Sequence, residues 1–229
     1  MKRKNFFFLW SIIMLMQIAC AKEAAVPEQK ESSSRVSESG HFGNDSTYAE
    51  PIVRILFVGN SLTYTNNLPA MVQAIGVNND IKIETEMLAY PNYALEDHWR
   101  DEKFQKLMNE KYFNYVIIQQ GPSSQQEGRD MLFDYGDRFK IVCDEKGARL
   151  VFFMVWPSRA NYQTFAGVIQ NYRDASVQTE SMLCPVGEAW KSYIDSTQDF
   201  SYYGADGFHP SINGSQIAAQ MIYNTIFSN

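Results

Sequence analysis

Two short stretches at opposite ends of the chain hold residue types that together can activate a hydroxyl. Ser61 follows an apolar run in Ile55-Leu56-Phe57-Val58-Gly59-Asn60-Ser61. Asp206 and His209 stand three residues apart in Gly204-Ala205-Asp206-Gly207-Phe208-His209-Pro210-Ser211. A free serine hydroxyl is a weak nucleophile and needs a base beside it. An imidazole can take the proton and return it to a leaving alcohol, while a carboxylate holds the ring in one tautomer and stabilises its charged form. The chemistry that this set supports is acyl transfer through a covalent serine intermediate. Taken alone, Ser61 reads as a turn residue, because Gly, Asn and Ser favour turns. The Asp206/His209 pair is what makes it a candidate nucleophile. A tetrahedral intermediate also needs hydrogen-bond donors placed in advance, and losing one typically costs about 10²–10³ in rate.

Residues this far apart can meet only if the fold brings two loops to one edge. Short apolar runs at Ile52 to Val58, Tyr115 to Ile118, Leu150 to Trp156 and Met182 to Val186 read as buried strands, and Ile81 to Leu88 alternates like a further one. Helical spacing is predicted over Leu68 to Asn78, with Leu68, Met71, Val72 and Ile75 on one face. It is also predicted over Leu95 to Asn109, with Trp99, Phe104 and Leu107 inward, and over Met131 to Lys146 with Gly147 as its cap. Tyr162 to Thr179 and Ser211 to Phe227 complete the helices; Ser211 is the N-cap of the last, and Ile217, Ile222 and Ile226 are its core positions. Strands that alternate with helices and are nearly all apolar imply a parallel sheet covered on both faces. The predicted fold is α/β, a three-layer α/β/α sandwich on a five-stranded parallel sheet of order 2-1-3-4-5, the simplest doubly wound arrangement. In such sheets chemistry sits at the carboxyl ends of the strands. Ser61 lies just past the first strand, and His209 precedes the last helix.

The Gly59-Asn60-Ser61-Leu62 block near the first strand and the Asp206-Gly207-Phe208-His209-Pro210-Ser211 block near the end resemble the first and last blocks of the SGNH (GDSL-like) hydrolases. The resemblance spans roughly residues 52–227, and the last block is the more specific motif. It implies a flavodoxin-like domain with a serine esterase site, Ser61 as nucleophile, His209 as base and Asp206 as its orienting carboxylate. Asn60 stands where the family usually has aspartate. After the third strand, where the family offers Gly-x-Asn-Asp, this chain has Gln119-Gln120-Gly121-Pro122-Ser123-Ser124, similar to the Gln-Gly-Glu-Ser variant of sialate O-acetylesterase-like members. The resemblance thus implies Gln120 as a side-chain oxyanion donor, with Gln119 as its rival, since strand alternation lets only one of them face the site. In the second block Asn92 takes the place of a glycine whose backbone N–H serves the oxyanion.

Other residues carry blander readings. His98 follows Glu96 and Asp97 and reads as a surface helix residue, with a substrate contact as the sharper alternative. Tyr202 and Tyr203 read as a packing pair rather than a sugar platform, and Arg159 as a solvated loop cation rather than an anion contact. Cys143 and Cys184 sit in apolar settings as small core residues or as a candidate disulfide. No metal and no organic cofactor is expected.

The first residues have the pattern of an export signal. Lys2, Arg3 and Lys4 precede Phe6 to Ala19, fourteen residues with only Ser11 and Gln17 polar, which is shorter than the roughly 20 needed to span a bilayer. Ala19-Cys20 resembles a lipoprotein cleavage box, so residues 1–20 are expected to be a signal ending in a lipidated Cys20. Residues 21–50 are rich in Ser and Glu and form an expected flexible tether, on which His41 is solvated. Residues 51–229 form the expected catalytic domain. An exported lipoprotein held to a membrane by its lipid is the expected location. Among 229 residues the formal net charge is −6 and no basic cluster follows the first four, which argues against nucleic acid as a partner. The expected partner is a small-molecule or oligosaccharide ester. The expected activity is hydrolysis of an O-acyl ester, most simply O-acetyl on a carbohydrate. The alternatives are a lipase or thioesterase for longer acyl chains, or a non-catalytic glycan-binding lipoprotein with a degenerate site.

Overall fold

The structure, a computed structural model, describes residues 51–228. The signal segment, Cys20, His41 and the tether lie outside the described residues. The elements run β1 (Val53–Gly59), α1 (Ser61–Tyr64), α2 (Leu68–Val77), β2 (Ile83–Ala89), α3 (Leu95–Arg100), α4 (Lys103–Glu110), β3 (Tyr115–Ile118), α5 (Gln126–Lys146), β4 (Arg149–Phe153), α6 (Phe165–Gln178), β5 (Met182–Cys184), α7 (Val186–Thr197) and α8 (Ile212–Phe227). The five strands form one sheet in the order β2-β1-β3-β4-β5, and every adjacent pair is parallel. This is the order that the alternation of elements predicts. All carboxyl ends therefore share one rim, and the order reverses at β1 and β3, where such sheets leave a crevice.

Burial explains the strand sequences. Ile55, Leu56, Phe57 and Val58 of β1 are all fully buried, as Val116 and Ile118 of β3 and Phe152 and Phe153 of β4 are, because helices cover both faces. α2 packs with α8, and α5 packs with α3, α4 and α6; right-handed crossovers put these groups on opposite faces. β2 is an edge strand, and two of its half-buried positions carry charge: Glu84 pairs with Arg54 of β1 and Glu86 with Lys111. Charges along an edge discourage pairing with another chain.

Besides a short helix at Ser61–Tyr64 and an α5 that starts at Gln126 instead of Met131, the elements differ from the sequence reading in three further places. The helix expected over Leu95 to Asn109 is two helices, because Glu102 between them has φ 58° and breaks the ladder. Tyr162 to Thr179 begins as a 3₁₀ turn, Arg159–Thr164, before α6. α7 went unread because Val186, the end of an apolar run, is already its first residue; Val186, Trp190 and Ile194, spaced four apart, are its buried face. Ser211 does cap α8, its Oγ accepting the Gly214 N–H at 3.1 Å. Tyr202 and Tyr203 are buried against Trp190, as packing residues are. Cys143 and Cys184 are free, buried thiols, each pushed up to about 12 by desolvation.

Candidate active site

β1 ends at Gly59 and the chain turns at once into α1. Asn60 caps this short helix, its Oδ1 accepting the Leu62 N–H at 3.1 Å, and Ser61 is the first helical residue. The turn needs glycine at 59. A Cβ there would lie 2.4 Å from Thr63 Oγ1 and 2.6 Å from Gln119 Oε1. The space it leaves is filled by the Gln119 side chain, whose Oε1 accepts the Asn60 N–H and the Thr63 hydroxyl, each at 3.0 Å. Ser61 is thus presented by a loop braced from beneath. Its backbone N–H has no acceptor among the described residues.

The two glutamines have different roles in this geometry. Gln119 is 1% exposed and its Nε2 is buried without a partner among the described residues, so it supports the serine turn. Gln120 reaches toward the β2–α3 loop. Its Oε1 accepts the Leu95 N–H at 2.8 Å, which fixes the amide, and Nε2 donates to Met131 Sδ at 3.0 Å. One Nε2 proton remains without an acceptor among the described residues. The backbone of Gln120 is clamped by Tyr172, whose OH donates to the Gln120 carbonyl at 2.5 Å and lies 3.1 Å from its N–H. Desolvation pushes the fully buried Tyr172 hydroxyl well above its ordinary value, so it stays protonated.

Asn92 lies in the turn after β2, exposed, with φ 61°. That is the left-handed conformation a glycine would favour, and asparagine is among the few other residues that adopt it readily. The Asn92 N–H has no acceptor among the described residues. Asn60 ties this loop to the serine turn, its Nδ2 donating to Tyr93 O at 3.1 Å. Aspartate at 60 has no proton to offer that carbonyl.

The late loop is anchored from two directions. Trp156, just past β4, donates from Nε1 to Phe208 O at 3.0 Å, and the Arg159 N–H donates to Gly207 O at 2.8 Å. From the side of β1, Asn66 Nδ2 lies 3.0 Å from both Pro210 O and Ser215 Oγ, linking the segment after Ser61 to the residues that follow His209. Within the loop, His209 Nδ1–H donates to Asp206 Oδ2 at 2.5 Å, while Asp206 Oδ1 accepts the Phe208 and His209 backbone N–H groups, each at 2.9 Å. These bonds, the one from His209 foremost, hold the Asp206 carboxyl down to about 2, so it is ionised wherever the protein is folded at ordinary pH. With the proton on Nδ1, Nε2 is left as the basic nitrogen. The structure joins Asp206 to His209 and puts Ser61 on the same rim. No hydrogen bond links Ser61 Oγ to His209 Nε2 among the described residues, as is common in sites without substrate.

His98 corrects the surface reading. It is 1% exposed, and Nε2–H donates to Gly59 O at 2.7 Å between the rings of Tyr90 and Tyr93. The flanking acids misled; the spacing from buried Leu95 to His98, three residues on, puts both on the inner face of α3. Burial lowers the His98 pKa. The unfolded chain therefore binds a proton here before the folded one does, and stability contributed by His98 is lost as pH falls below the ordinary histidine value. The advantage of wild type over His98→Gln in urea midpoint should shrink from pH 7.5 to pH 5.5; an advantage independent of pH would contradict this. Arg159 is exposed, with its guanidinium 4.4 Å from the Phe200 ring centroid.

No protein-family model and no curated protein matches the sequence. Solved structures do match. An SGNH hydrolase from Slackia heliotrinireducens superimposes with TM-score 0.64 at 20% identity, covering 77% of this chain and 100% of the other. The chain has the SGNH hydrolase fold. An acetyl xylan esterase from Geobacillus stearothermophilus matches with TM-score 0.63 at 14% identity over 76% of this chain and 94% of its own. A lipase/acylhydrolase from Enterococcus faecalis matches at 0.62 and 13% over 76% and 95%. The shared fold accounts for the parallel sheet whose carboxyl ends form one rim.

Proposed function

We propose that the protein is a serine esterase that hydrolyses O-acyl esters through an acyl-enzyme on Ser61. The observation that carries this reading is the Asp206–His209 pair, bonded at 2.5 Å through Nδ1 and anchored through Asn66 to the segment that follows Ser61. His209 Nε2 takes the Ser61 proton as the hydroxyl attacks the ester carbonyl, then delivers it to the departing alkoxide. Asp206 fixes the tautomer and stabilises the imidazolium. The Ser61 and Asn92 backbone N–H groups, with the unspent Nε2 proton of Gln120, are the donors for the oxyanion; Gln119 supports the turn from below. Water then attacks the acyl-enzyme, with His209 as base again.

The acyl group proposed is acetyl, carried on a carbohydrate. Support comes from the acetyl xylan esterases among the structures of like fold. We further propose that Cys20 carries a lipid and that residues 21–50 hold the domain away from a membrane surface outside the cytoplasm.

The test is turnover of p-nitrophenyl esters of rising chain length. Acetate is expected to be the fastest, with kcat/KM falling at least about tenfold by octanoate. A preference for octanoate would replace acetylesterase by lipase or thioesterase, and no turnover of any ester would leave a binding protein.

A further inference from the structure

Beside His209 runs a groove of about 400 Å³, between the β3–α5 loop and the segment after β4. That volume lies within the roughly 300–1,000 Å³ of small-molecule sites. Its walls combine Ser123, Ser124, Ser158 and Asn161 with the apolar surfaces of Pro157 and Phe208, and none of its lining residues carries a charge. Phe208 joins it to the catalytic loop, its ring centroid 5.1 Å from that of His209.

The polar groups in the groove are held in place but incompletely used. Ser123 Oγ accepts the Gln125 N–H, Ser124 Oγ accepts Gln125 Nε2, and Ser158 Oγ accepts Asn161 Nδ2. In each case the serine oxygen is the acceptor, so three O–H donors have no acceptor among the described residues; Asn161 Oδ1 likewise has no donor there. The serine loop is seated tightly. A Cβ on Gly128 of α5 would lie 2.2 Å from Ser123 Cβ, and one on Gly167 of α6 would lie 2.6 Å from Ser124 Cβ. Glycine inside a helix costs about 1 kcal/mol relative to alanine, and here both glycines make room for this loop. Asn171, buried, adds a bond from Nδ2 to Ser123 O at 2.9 Å.

We propose that this groove holds the alcohol part of the ester, a neutral polyhydroxyl ring, with Ser123, Ser124 and Ser158 donating to its oxygens and Asn161 Oδ1 accepting from a hydroxyl. A sugar ring matches such walls because each hydroxyl both donates and accepts, while its C–H faces lie against Pro157 and Phe208. No lining residue offers a cation to an anionic alcohol. This inference rests on the ester-hydrolase reading and assigns the leaving-group side of that site.

The test is steady-state kinetics of Ser158→Ala/Asn161→Ala and of Ser124→Ala on two substrates: an O-acetylated methyl xyloside and p-nitrophenyl acetate, whose leaving group has no hydroxyls to bond. Each lost hydrogen bond is worth roughly 1 kcal/mol. The ratio of kcat/KM for the xyloside to that for p-nitrophenyl acetate should fall about tenfold or more in the double variant and about fivefold in Ser124→Ala, mainly through KM. A ratio within about twofold of wild type in both variants overturns the groove assignment, and so does equal loss on both substrates. Wild type that turns over p-nitrophenyl acetate but not the xyloside also overturns the groove, with the esterase reading intact. Wild type inactive on both removes the esterase reading and the groove with it.

Discussion

Ser61→Ala is expected to reduce turnover of p-nitrophenyl acetate by at least about 10⁴-fold with little change in thermal stability. The size follows from the role. Without the hydroxyl no acyl-enzyme forms, and only the oxyanion donors and substrate binding remain to accelerate direct attack by water. Folding should be spared, because the hydroxyl of Ser61 makes no hydrogen bond among the described residues and the turn is held by others. Asn60 caps α1, and Gln119 braces Asn60 and Thr63 from beneath. The rate of ester cleavage and a melting curve on the same preparations check both halves. Equal rates for variant and wild type would show that Ser61 is only a turn residue.

Asp206→Asn should be nearly as damaging, by about 10⁴-fold in kcat. The carboxylate uses both oxygens: Oδ1 holds the backbone N–H groups of Phe208 and His209, and Oδ2 holds His209 Nδ1–H. Asparagine has one oxygen. If that oxygen keeps the two backbone donors, the NH₂ group faces Nδ1, and the proton of the ring moves to Nε2. His209 then has no lone pair to offer Ser61. If the amide flips to keep the Nδ1 bond, its NH₂ meets two backbone donors and the loop between 206 and 209 loses its shape. Either way the base is lost, whereas the remote anchors of the loop, Trp156 to Phe208 and Asn66 to Pro210, remain. Comparable kcat in variant and wild type would mean that another group orients the imidazole.

Much of this site could be read from the sequence because its parts are local. Ser61 follows a run of four buried apolar residues, so the end of β1 and the position just past it are set by a short-range pattern. Asp206 and His209 are three apart beside a proline and a capping serine, a spacing that brings carboxylate and ring together within one turn. The parallel sheet and its order followed from apolar strands alternating with helices. What sequence reasoning missed depends on distant partners. Asn66 takes φ 58° and bonds to Pro210 and Ser215, and nothing near residue 66 announces that. Tyr172 clamps the Gln120 backbone from α6, another contact with no local signature. Gln119 and Gln120 are alike in sequence; strand alternation said that only one could face the site, and their hydrogen bonds assign Gln119 to bracing and leave Gln120 a free donor. His98 carried a usable signal, its three-residue spacing from Leu95, which the acids beside it masked.

If His209 makes the hydroxyl of Ser61 a nucleophile, covalent trapping will report it. Diethyl p-nitrophenyl phosphate transfers its phosphoryl group to an activated serine and releases nitrophenol, and intact-mass measurement followed by peptide mapping locates the adduct. One adduct per chain is expected, on Ser61, formed far more slowly in His209→Ala. An adduct on another residue, or a chain that cleaves p-nitrophenyl acetate yet is never labelled at Ser61, would contradict it.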